Sequence, residues 1–159
     1  MSILVRLLCP VLTALACAAP AGAQTPWEWP VPAPRAIVRG FDNPPQNWLP
    51  GHRGVDLGTV SGATVRAAGA GRVVFAGNVG GKPVVSIEHR DGLRTTYEPV
   101  TATVETGTVV EPGQPIGVVV AGHPECAATA CLHWGLRRGD DYLDPLQLVR
   151  PRQIRLKPL

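Results

Sequence analysis

The sequence predicts an all-β fold: one small, mainly antiparallel β domain preceded by a proline-rich arm. Three observations predict it. The 159 residues include 18 glycines and 17 prolines, spread between short β-prone runs rather than gathered into repeats, which is the pattern of strands joined by many turns. No helical period of apolar residues lasts more than a turn or two. Residues 83–89 (PVVSIEH) alternate well and lead to Asp91-Gly92, a strong hairpin signal, with a β-prone return over 93–98.

The elements follow in chain order. Residues 1–23 read as a secretory signal peptide. Arg6 precedes an apolar run over 7–18, and Ala21-Gly22-Ala23 supplies a small-x-small cleavage site. The run is too short for a stable membrane span. A lesser reading is a lipoprotein, because residues 14–17 (ALAC) loosely resemble a lipobox that would acylate Cys17. Residues 24–50 read as an extended arm, since prolines at 26, 30, 32, 34, 44, 45 and 50 forbid a long helix. Trp27, Trp29 and Trp48 give that arm something to pack with.

Residues 51–149 read as the β domain. GHRGVDLG, residues 51–58, is too glycine-rich for a helix and suits a strand or strand-like turn. Strands are predicted over 64–67, 71–76, 83–89, 93–98, 103–104, 108–110, 116–120 and 132–137, with a turn at Glu111-Pro112-Gly113-Gln114 and one short helix over 145–149. Residues 150–159 carry Arg150, Arg152, Arg155 and Lys157 and read as a solvated basic tail.

Removal of residues 1–23 leaves 14 basic against 12 acidic side chains. That weak basicity suits loose association with an anionic cell wall. Without aromatic–basic interleaving it does not indicate nucleic-acid binding. Cys9 and Cys17 leave with the signal, so Cys126 and Cys131 remain. An even pair in an exported chain reads as a disulfide, here across the four residues AATA.

The candidate chemistry lies in the histidines. His52 and Asp56 are an even number of residues apart, so on an extended strand both side chains share a face. His133 lies on a strand far along the chain. A local His–Asp pair plus a distant histidine is a mixed nitrogen and oxygen ligand set. Three such ligands with an open fourth position are the pattern of catalytic zinc. His89 beside the hairpin and His123 in the loop GHPEC read as structural.

GHRGVDLG, then TVRAAGAGRVVFAG, VVSIEHRDGLRTTY and CLHWGL together resemble the lysostaphin/LytM-type zinc metallopeptidase family, whose members cut peptide cross-links in bacterial cell walls. The likeness runs from about residue 39 to 146. It implies a metal groove on a small β domain and one zinc ion held by His52, Asp56 and His133. It also implies a secreted or wall-associated bacterial peptidoglycan endopeptidase acting on cross-link peptides.

Two positions depart from the family pattern. Its last motif, H-x-H, reads Cys131-Leu132-His133, and its Y-x-H reads Tyr97-Glu98-Pro99. Both non-ligand catalytic histidines are therefore replaced, while all three ligand positions stand. Glu98 and His123 are the residues available to substitute. A regular strand would point Glu98 away from the face of residue 99, and His123 would have to swing in from its loop. An unpaired Cys131, sharing a strand face with His133, would instead close the zinc site as a thiolate. The alternative function is a catalytically impaired relative that binds the wall or activates another cell-wall hydrolase.

Overall fold

A computed structural model describes residues 27–33, 35–46, 48–123 and 126–150. The signal peptide expected over 1–23, with Cys17, and the tail beyond Arg150 lie outside the described residues. Among the described residues, no helix is long and apolar enough to cross a membrane.

The fold is nearly all antiparallel β. The chain runs β1 (Ile37–Arg39), β2 (Gly54–Thr59), β3 (Thr64–Arg66), β4 (Gly71–Val79), β5 (Lys82–His89), β6 (Leu93–Glu98), β7 (Val100–Ala102), β8 (Val109–Val110), β9 (Pro115–Val119), β10 (Ala130–Arg138), β11 (Asp141–Leu143) and the single-turn helix α1 (Leu146–Val149). An eight-stranded sheet has the order β1-β2-β10-β6-β5-β4-β8, with β11 on β10. A smaller sheet has the order β3-β9-β7.

Alternation decides which face of the large sheet is dry. Val55 and Leu57 of β2, Leu132 and Trp134 of β10, Tyr97 of β6, and Val85 and Ile87 of β5 form the core with Val65, Val100, Ile116 and Val119 of the small sheet. The residues between them, Asp56, His133 and Glu98 among them, project from the other face. The expected strand over 103–104 is instead β7, three residues earlier, where Val100 can enter the core and pair with Val119. β1 and β11 were not expected; both are three residues long, too short to show an alternation. At the β5–β6 hairpin, Asp91 and Gly92 both take positive φ, 63° and 70°, the conformation that Asp-Gly supplies.

The arm packs on this core. The Trp27 ring meets His89 edge-on at 4.8 Å, and Trp29 lies 6.3 Å from Trp134. A Cβ on Gly69 would stand 2.5 Å from the Trp27 ring, so that glycine is required for the contact. Trp48 differs from the expectation for the arm: it is 78% exposed.

His89 anchors a buried hydrogen-bond chain. Its Nδ1 donates to the Ala70 carbonyl at 2.9 Å, and Thr95 Oγ1 lies 2.7 Å from its Nε2. Thr95 Oγ1 donates to the Tyr97 hydroxyl at 2.9 Å, and the Ala68 N–H donates to Tyr97 at 2.9 Å. Burial, only partly opposed by the Ala70 carbonyl, holds the His89 pKa below its ordinary 6.5. Burial also pushes the Tyr97 hydroxyl up to about 12.

A lowered histidine pKa makes the unfolded chain the better proton acceptor. The stability from neutral His89 is complete above pH about 6.5 and declines as pH falls through the lower folded value. Thermal melts between pH 7.5 and 4.5 should therefore fall more steeply for the unaltered protein than for His89→Gln, which has no imidazole to titrate. At pH 7.5 the variant should be less stable by about 1–3 kcal/mol through its disrupted network. Parallel pH profiles would show that His89 does not contribute to acid sensitivity.

Candidate metal centre

The pairing of β2 with β10 assembles the centre. The register sets Asp56 opposite His133, and opposed residues in an antiparallel pair share a face. His52 precedes β2 and is fixed by a two-bond bridge to Asp42, with N–H···O distances of 2.9 and 2.7 Å. Gly51 permits that turn, since a Cβ there would lie 2.5 Å from Pro44 Cδ.

His52 Nε2 lies 3.0 Å from Asp56 Oδ1 and 3.1 Å from His133 Nδ1. His133 Nδ1 lies 2.9 Å from the same Asp56 oxygen. The three ligand atoms all lie within 4.8 Å of one another. The structure thus brings together the three residues expected from the sequence.

The tautomer of His52 shows why these atoms suit a cation. Its Nδ1 lies 2.6 Å from the Gly40 carbonyl oxygen. That oxygen can only accept, so Nδ1 carries the proton and neutral His52 turns the Nε2 lone pair toward a carboxylate oxygen. Lone pairs meeting at 3 Å repel unless a cation lies between them. A backbone carbonyl on the second nitrogen is also how metal-ligating histidines are commonly oriented. Asp56 Oδ2 is buried with no hydrogen-bond partner, which suits a carboxylate directed at a metal ion. Burial alone would raise the Asp56 pKa, but His133 and then His52 and His123 outweigh it, and the carboxyl lies below its ordinary value.

Glycine makes room for His133. A Cβ on Gly54 would stand 2.7 Å from His133 Nε2 and Cε1 and 2.6 Å from the Trp134 carbonyl. Gly54, the second glycine of GHRGVDLG, is therefore the floor beneath the imidazole. Next to it, Gly135, Thr96 and Ser86 follow in register across β10, β6 and β5. The strip beside the centre is low and lined by hydroxyls.

The substitute candidates fall in different places. Glu98 is opposite His133 in the β6–β10 register, so it shares the face of the centre, and its carboxylate pairs with Lys82 Nζ at 2.7 Å. His123 reaches the centre itself: Nε2 lies 3.2 Å from Asp56 Oδ1. The sequence read it as a structural loop residue and also named it, with Glu98, as a candidate to substitute for the lost histidines. Cys131 is bonded to Cys126, as its place in an even pair suggested. That bond removes the thiolate-ligand alternative, because the sulfur no longer has a free lone-pair anion.

Two imidazoles and a carboxylate converge on one face of a β sheet as a group that could hold a metal ion. Residues 50–145 match Peptidase family M23, and the chain belongs to that family of metallopeptidases. An uncharacterised protein of Mycobacterium tuberculosis is 52% identical over 147 residues, which cover 89% of this chain and 59% of the relative. This chain thus spans about three fifths of that relative's length. Csd3 of Helicobacter pylori has a similar structure, with a TM-score of 0.66 and 28% identity over 85% of this chain and 38% of that one. The catalytic domain of the antimicrobial peptidase lysostaphin from Staphylococcus simulans matches with a TM-score of 0.58 and 28% identity, covering 71% and 90% of the two chains.

Gly54→Ala should lower the melting temperature, because its Cβ meets the Trp134 carbonyl of β10, and should weaken metal binding by at least about tenfold, the scale on which misoriented ligands act. Competition with a chromophoric chelator measures the binding. Unchanged affinity would show that His133 has another rotamer that serves as well.

Proposed function

We propose that the protein is an exported zinc-dependent hydrolase acting on the cross-link peptides of peptidoglycan. The observation that supports this reading best is the convergence of His52 Nε2, Asp56 Oδ1 and His133 Nδ1, with the His52 tautomer fixed by Gly40. Two nitrogens and one carboxylate oxygen suit zinc with a fourth position left over. Bound zinc supplies Lewis acidity toward a peptide carbonyl and acidifies water. The chain's own residues orient the ligands and, through Gly54, Gly135, Thr96 and Ser86, keep the adjoining strip low enough for an extended peptide. The likeness to lysostaphin's catalytic domain supports a peptide substrate. The apolar run behind Arg6 supports export, and the weak basicity supports a wall-associated location.

Hydrolysis by this centre is expected to be slow. The family's two catalytic histidine positions hold Pro99 and Cys131, and the Cys131 sulfur is held in a disulfide. Loss of a general acid or base costs a factor of about 10²–10⁴. Glu98 and His123 are the candidates to carry protons on this face, and Glu98 is engaged by Lys82. The same two replacements favour a second reading, a wall-binding module that recruits or activates another hydrolase.

Zinc analysis of the mature protein should find about one ion per chain, and His133→Ala should abolish it. No zinc above background after incubation with excess metal would rule out the centre. The unaltered protein should release peptides from purified peptidoglycan slowly. Pro99→His with Cys131→His and Cys126→Ser should be faster than both the unaltered protein and a Cys126→Ser/Cys131→Ser control. No gain over either would favour the module.

A further inference from the structure

The sheet face that carries the metal centre has a second charged edge. Residues 133, 135 and 137 of β10 alternate with the buried Trp134 and Leu136, so all three project from that face. Register across the strands then lays the face out in three rows. Asp56, His133 and Glu98 form the first, and the low strip through Gly135 and Thr96 forms the second. In the third, Tyr142 of β11 opposes Arg137, Arg137 opposes Arg94 of β6, Arg94 opposes Glu88 of β5, and Glu88 opposes Arg72 of β4.

The third row sets three arginines against one glutamate. Glu88 is taken by Arg94, with Oε1 3.2 Å from Nη2, and Arg72 donates to the Gly107 carbonyl at 2.6 Å. Arg137 is half-buried and has no hydrogen bond or ion pair among the described residues. Like charges directly opposed on neighbouring strands destabilise a sheet, and Glu88 compensates only one member of the Arg137–Arg94 pair. Arg53 adds to the positive charge at this edge, its Cζ 5.6 Å from the centre of the Tyr142 ring. An anion beside Arg137 would relieve the repulsion. His133 and Arg137 are four residues apart on one strand, about 13 Å. They face each other across the strip, so a peptide lying in it has the metal donors on one flank and guanidinium groups on the other.

We infer that Arg137, with Arg94 beside it, binds a carboxylate of the substrate peptide on the flank opposite the metal, next to the bond presented to the centre. This rests on the peptidoglycan reading above and narrows its substrate class to peptides with a free carboxylate close to that bond, in preference to uncharged bridges. A guanidinium meets a carboxylate through two parallel N–H···O bonds, and partial burial makes that pair stronger than an exposed one. The recognition uses neither the metal nor a proton transfer. It therefore serves a slow hydrolase and a wall-binding module alike.

Cross-linked peptides freed from purified peptidoglycan by an amidase supply the probe. They are N-acetylated, then used either as they are or with their carboxyl groups converted to methyl amides. Both forms are titrated into nitrogen-15-labelled mature protein incubated with zinc, and binding is read from the backbone amide shifts of Gly135 and Thr96. The unaltered protein should bind the carboxylate form at least about tenfold more tightly than the amide form, the scale of a charged hydrogen bond. Arg137→Gln should bind the two forms equally. Arg66→Gln, which removes the same charge from the small sheet, should keep the preference. Equal affinity of the unaltered protein for both forms, or a preference that survives in Arg137→Gln, would overturn the role of Arg137 and leave the peptide reading in place. Binding of neither form by the unaltered protein would overturn the peptidoglycan reading and the carboxylate site with it. The expected preference in a protein that takes up no zinc would support the carboxylate site and overturn the metal reading alone.

Discussion

The β2–β10 register is the constraint on which the rest of the structure depends. It sets Val55 opposite Trp134 and Leu57 opposite Leu132 on the core side, and Asp56 opposite His133 on the other. A slip of one residue would reverse every one of these directions. It would expose a tryptophan and two leucines and bury the charged pair. The apolar residues therefore hold the polar ones in place: burying a large side chain such as Trp134, whose truncation costs about 3–5 kcal/mol, enforces a register in which a carboxylate and two imidazoles converge. The centre needs no stabilising energy of its own to be assembled.

Small residues complete what the register begins. Asp56, His133 and Glu98 form a row across three strands. The parallel row of Gly54, Gly135, Thr96 and Ser86 carries little bulk beside it. The glycines lower the intrinsic strand preference of β2 and β10. That loss is offset by burial on the reverse face, where Val55, Tyr97 and Trp134 are packed. Depth near the imidazoles and stability thus come from opposite sides of one sheet.

Much of this was legible in the chain. The alternation of VDL and LHW around Asp56 and His133 is a period-2 signal, and it predicts both the strands and the shared polar face. Asp91-Gly92 predicts its hairpin because only a few residue pairs accept two positive φ values. Other parts left no such trace. β7 could not be placed at 100–102 rather than 103–104, because the stretch VTATV alternates equally well in both registers and only the pairing of Val100 with Val119 chooses between them. Gly40 acts through its backbone carbonyl, which no side chain announces. His123 sits in an irregular loop without periodicity, so its arrival at Asp56 follows from tertiary structure.

Cys131 shows how one position can exchange chemistry for geometry. The site is two residues before a metal-ligand candidate on the same strand face, where a histidine would stand beside the centre and move protons. Cysteine at that place does neither once it is oxidised, and His123, from the loop ahead of the same strand, reaches the same oxygen of Asp56. That imidazole is attached through a loop rather than a strand. A strand residue is held by its ladder of backbone bonds, whereas a loop residue lacks that ladder.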